Sequence, residues 1–124
     1  MEEREIRIGK SWYYLGEGDM IHAIMVGEVD EKTAHRHREA GLKILSMIEG
    51  PVNVLIDINK QGKLSPEARR AFKELAENEK AGKVAIFGLH PVARVLASFF
   101  MGTTKKRDIR FFKTKEEALA WLKE

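Results

Sequence analysis

The chain has 124 residues, 44% of them apolar, which suits one domain with one hydrophobic core over residues 1–124. It has no cysteine, which excludes disulfides, zinc–thiolate centres and thiol catalysis, and its net charge of +3 is too mild to name a partner by itself. The first ten residues are charged and hold no apolar signal core, and no apolar run approaches the roughly 18 residues of a membrane span, so a cytoplasmic protein is expected.

In chain order, Ile6 and Ile8 alternate with charges and predict a strand over residues 4–9. Ser11 to Leu15 (SWYYL) is aromatic and strand-forming, and Gly16-Glu17-Gly18-Asp19 is a turn by composition. Met20 to Val29 is apolar at both parities, which predicts a strand covered on both faces. These three strands read as an antiparallel meander. Asp30 can cap a first helix over about 31–48, with an apolar stripe of Ala34, His37, Gly41, Ile44, Leu45 and Ile48 and a stop at Gly50-Pro51. Val52 to Ile58 is the next strand. A polar loop then leads to a second helix from Ser65, with Ala68, Ala71, Phe72, Leu75 and Ala76 on one face. Lys83 to Gly88 is a short buried strand, and His90-Pro91 opens a third helix ending near Gly102. Asp108 to Lys113 is a last strand, and Thr114 with Glu117 forms a capping box for a helix ending in Trp121 and Leu122. Strands alternating with helices predict one α/β domain with four helices or so. Its later strands should be parallel, through right-handed crossovers.

The junction from Asp57 to Ser65 is the first candidate site. Ser65-Pro66-Glu67 is a helix start on structural grounds alone: the serine caps a free N–H, proline at the first helical position has no N–H to lose, and glutamate meets the positive end of the dipole. In open α/β sheets ligands lie beyond the carboxyl ends of parallel strands, so the loops after Ile58 and after Phe87 form a candidate rim. Asp57, Asn59, Lys60, Ser65, Arg69, His90 and Arg94 are its residues, and two helix N-termini beside it favour an anion. Neither loop carries a phosphate-binding or dinucleotide fingerprint. Asp57 is expected to bind the N–H groups of its own loop.

Other chemistries find less support. His35 and His37 stand two apart on a helix and cannot chelate together, so no metal or other cofactor is expected. There is no nucleophile elbow and no kinase or hydrolase signature. The basic cluster Lys105, Lys106, Arg107, Arg110, Lys113 and Lys115 interleaves with Phe111 and Phe112. Ile109 and Phe111 nevertheless share a strand face that belongs to the core, so nucleic acid is not the expected partner. The third helix is more telling. Pro91 to Gly102 (PVARVLASFFMG) holds one charge, Arg94, where a surface helix shows a polar face. Leu96, Phe99 and Phe100 mark it as either buried or turned toward a partner protein, a second copy of the chain or an apolar ligand.

VNVLIDI with its Asp57, the helix SPEARRAFKEL, the strand KVAIFG, the helix PVARVLASFF and the ending RFFKTKEEALAWL together resemble the SpoIIAA-like family of STAS-type domains, related in fold to Sec14-type lipid carriers. The resemblance spans nearly the whole chain, and Phe112 to Leu122 is its most specific part. It implies a mixed sheet flanked by helices, no enzyme activity and a role in binding; with the near-uncharged third helix beside the strand-end rim, the expectation is a regulatory module that works through protein contacts, with a homodimer as one form. In the anti-sigma antagonists of that family a serine at this helix start is phosphorylated. Ser65 is the nearest equivalent, followed here by Pro66 in place of a D-S-S-G-like context. The Sec14 connection implies an alternative, a small apolar-ligand carrier with a pocket beside the third helix.

Overall fold

The computed structural model describes residues 5–16, 20–89, 91, 95, 98 and 108–124. Six strands form one sheet in the order of the chain: β1 (Glu5–Ile8), β2 (Ser11–Leu15), β3 (Ile21–Val29), β4 (Val52–Leu64), β5 (Ala81–Phe87) and β6 (Ile109–Phe112). The first three pair antiparallel and the last three join in parallel, as the hairpin-then-crossover pattern predicts. The described helices are α1 (Glu31–Ser46), α2 (Pro66–Ala76) and α3 (Lys115–Leu122). They are three in number rather than about four. Of the helix expected over 91–102, only Pro91, Val95 and Ser98 are described, all three helical and exposed; the rest of it lies outside the described residues.

Alternation sorts the sheet into two faces. Ile8, Tyr13, Ile21, Ala23, Val54, Ile58, Val84 and Ile109 join Ala40, Ile44 and Leu45 of α1 and Ala76 of α2 in the main core. On the other face Leu55, Ala85 and Phe87 lie under Ala118, Trp121 and Leu122 of α3. Gly41 lets α1 and α2 close on each other, because a Cβ there would sit 2.6 Å from Leu75 Cδ1. α3 lies against β4, β5 and β6. The second face of β3, with His22, Ile24 and Val26, is therefore half-buried rather than fully covered.

The helix starts follow the sequence signals. Asp30 Oδ1 accepts from Thr33 N at 2.8 Å, Ser65 Oγ from Ala68 N at 3.0 Å, and Thr114 Oγ1 from Glu117 N at 3.3 Å. The helix ends hold two devices that no local signal announces. Lys80 Nζ donates to Ile48 O at 3.1 Å, just past α1, and Lys83 Nζ donates to Trp121 O at 3.2 Å and Glu124 O at 2.9 Å. Each ammonium meets carbonyls at the negative end of a helix, where free acceptors and the dipole favour a cation. Asn53 completes the second latch, accepting from Lys83 N at 3.0 Å and donating to Leu122 O at 3.1 Å.

The largest departure from the sequence reading is β4. The expected strand stops at Ile58, but the observed strand continues through Leu64. β3 is long enough to pair with this extension: Ile24 opposes Asp57, Val26 opposes Lys60 and Val29 opposes Leu64. The register shifts twice along this ladder, with β4 holding the extra residue each time. Polar composition at 59–63 hides the strand, because main-chain pairing to β3 does not require apolar side chains.

Asn53→Ala should cost about 1–2 kcal/mol, the price of a lost side-chain hydrogen bond and its orphaned partner. Hydrogen exchange should then show faster opening of residues 118–122, with α1 protection unchanged.

Candidate functional site

The strand-end rim is partly assembled. Asp57 Oδ1 accepts from Asn59 N at 2.9 Å and from Asn59 Nδ2 at 3.1 Å, and Asn59 Oδ1 accepts from Leu89 N at 3.1 Å. The carboxylate thus orders its own chain, and one asparagine ties the end of β5 to β4. Gly88 permits this approach, since a Cβ there would meet Ile58 Cγ1 at 3.0 Å. Lys60 is exposed beside this cluster. Ser65 and Arg69 are not part of it. β4 runs extended from Asp57 to Leu64, so Ser65 lies roughly 25 Å further along at about 3.3 Å per residue. Ser65 caps α2 and its N–H bonds Val29 O at 2.9 Å; Arg69 is half-buried in the first turns of α2. His90, Arg94, Leu96, Phe99 and Phe100 lie outside the described residues.

A second constellation lies inside, between the sheet and the α1–α2 pair. A cavity of about 90 Å³ is walled by apolar side chains, among them Ala23, Met25, Ile44, Ile58, Phe72 and Val84. Tyr13 and Gln61 are the polar residues on its wall. Tyr13 Oη and His37 Nδ1 share a hydrogen bond at 2.7 Å, and His37 meets the Phe72 ring edge-on at 5.5 Å between centroids. Burial raises the Tyr13 pKa beyond its ordinary range. Burial, with a smaller repulsion from Arg36, lowers the His37 pKa from 6.5 to about 4. Both groups are therefore neutral near pH 7, and their hydrogen bond joins β2 to α1. The helical spacing already placed His37 on the apolar stripe. Gln61 carried no such signal. Period-two counting from Ile56 and Ile58 aims Lys60 inward, but the first register shift passes that place to Gln61, whose Nε2 donates to Gly27 O at 2.9 Å.

Among the described residues, no group of three or more His, Cys, Asp or Glu side chains could hold a metal ion. No described helix is long and apolar enough to cross a membrane.

An antiparallel meander leading into a parallel half, with helices on both faces, is a SpoIIAA-like fold. It is shared with an uncharacterized protein of the DUF3478 family from Shewanella loihica PV-4, described as having that fold. That protein is 25% identical over 95% of this chain and 90% of its own, with a TM-score of 0.57. The anti-sigma factor antagonist SpoIIAA in its unphosphorylated form is 14% identical over 91% of this chain and 97% of its own, with a TM-score of 0.61. The chain itself belongs to the DUF7793 family, a domain of unknown function, whose match covers residues 24–124. No curated protein matches it.

His37 should make stability depend on pH. Its folded pKa is depressed, so its contribution is complete above pH 6.5 and is lost as pH falls toward 4, where the unfolded chain takes a proton that the folded chain refuses. At about 1.4 kcal/mol per unit the loss is on the order of 2–3 kcal/mol. Denaturant titrations from pH 7 to 4 should show it, and His37→Gln should flatten that part of the slope. Ser65→Ala should cost about 1 kcal/mol in the same assay, and Ser65→Asp should recover most of it because aspartate caps as well as serine.

Proposed function

We propose that the 124 residues act as one non-enzymatic regulatory domain in the cytoplasm that works by binding protein, with a second copy of the chain as the first partner to test. The observation that carries the reading is the exposure of Leu89 and Val95, at 72% and 56% of their full surface. Among the described residues only Leu42 joins them as an exposed large apolar side chain, and it lies on α1. Val95 instead belongs to the one segment whose composition lacks the polar face of a surface helix, Pro91 to Gly102, and Leu89 stands two residues before it. The Asp57–Asn59–Leu89 hydrogen bonds tie Leu89 to the chain just past Asp57 of β4. The anti-sigma factor antagonist of the same fold supplies a precedent for a regulatory role. A lipid-like ligand is less well supported. The cavity holds about 90 Å³ and lies under α1 and α2, whereas pockets for drug-sized ligands hold roughly 300–1,000 Å³.

The double variant Leu89→Glu/Val95→Glu should convert a dimer to a monomer in sedimentation equilibrium, with an unchanged circular dichroism spectrum. A wild-type chain that is monomeric at every concentration, or a dimer that survives both charges, would remove the support for self-association.

A further inference from the structure

We propose that the free edge of β4, from Lys60 to Leu64, is a docking site for an extended acidic peptide of a partner protein, which joins the sheet there as a strand. The proposal rests on the reading of a protein-binding domain, but not on self-association through Leu89 and Val95. β5 ends opposite Asp57, whereas β4 runs on to Leu64. One edge of that extension is paired with β3. On the other edge, among the described residues, no strand pairs with it, and the main chain from Lys60 to Lys63 makes no hydrogen bond outside the β3 ladder. Alternate residues of a paired strand turn N–H and C=O away from the partner, so the run offers a row of free donors and acceptors. The chain leaving β5 does not use that row: Leu89 N donates to the Asn59 side chain at 3.1 Å, just before it.

Charge selects the occupant. Lys60 and Lys63 are exposed, and among the described residues neither is in an ion pair. Glu28 stands across the ladder at Gly62, where a Cβ would meet its Cγ at 3.0 Å, and pairs with neither lysine. Two copies of the chain joined through this edge would set lysine against lysine. The two register shifts add to that barrier, since bulges and edge lysines are how sheets resist self-pairing. An acidic strand meets the same lysines as counter-charges and the same main chain as partner. A phosphate backbone meets the charges but has no donor for the carbonyl groups. The run spans about 17 Å at about 3.3 Å per residue, which a peptide of about five residues matches.

Amide NMR of the full chain, titrated with the end-blocked peptide Glu-Val-Glu-Val-Glu, tests the proposal. The amide signals of residues 60–63 should shift and their hydrogen exchange should slow. The same peptide N-methylated at two adjacent central residues keeps its charge but loses an N–H in either register, and it should bind about tenfold more weakly, as expected for one lost main-chain hydrogen bond. Lys60→Glu/Lys63→Glu should keep the wild-type melting temperature, because both side chains are exposed, while losing the acidic peptide and gaining Lys-Val-Lys-Val-Lys. Leu89→Glu/Val95→Glu should bind the acidic peptide as the wild-type chain does, whatever becomes of the dimer. Unshifted signals at residues 60–63, or equal affinity for the methylated peptide, overturn strand addition. A charge-reversed variant that still prefers the acidic peptide overturns the role of the lysines. Shifts centred on Leu89 and Val95 instead overturn the edge and leave the protein-binding reading standing.

Discussion

The pairing of β3 with β4 is the contact on which the rest of the structure depends. β3 is the strand at which the antiparallel meander meets the parallel half, so it hydrogen-bonds β2 on one edge and β4 on the other. α1 must return the chain from the end of β3 to the start of β4, which lays it across the sheet and over Tyr13. The ladder then runs past the end of β5, to Leu64 opposite Val29. Ser65 N closes it on Val29 O while the serine side chain opens α2. One ladder thus sets the path of α1, the start of α2 and the span between Asp57 and Ser65.

That span divides the chemistry. At its start, Asp57 orders Asn59, and Asn59 binds Leu89 N as the chain leaves β5. At its far end, Ser65 has an ordinary capping role. Between them, an extra residue in β4 turns Gln61 under the helices, where it shares a cavity wall with Tyr13. The same strand thus sends Asn59 out to the chain that leaves β5 and Gln61 in toward the core.

Much of this was legible along the chain. The helix starts at Asp30, Ser65 and Thr114 depend on side chains within three residues of the groups they satisfy, and local signals of that kind survive folding unchanged. The apolar stripe that includes His37 follows from helical period alone, and the mixed sheet from the order of strands and helices. Less legible were contacts between distant residues. Lys80 and Lys83 look like ordinary surface charge in sequence, yet they close two helix ends more than thirty residues away.

The sequence by itself determined the class of fold, the caps and the place of His37 on the apolar stripe of α1, because each rests on periodicity or on neighbours in the chain. Tertiary structure decided the length of β4, the separation of Asp57 from Ser65, the inward turn of Gln61 and the cavity beside it. The physical reason is that a strand boundary and a bulge are properties of a pair of strands. The polar run Asn59 to Lys63 becomes strand because β3 offers it main-chain partners, and a one-residue shift in that pairing changes which side chain enters the core.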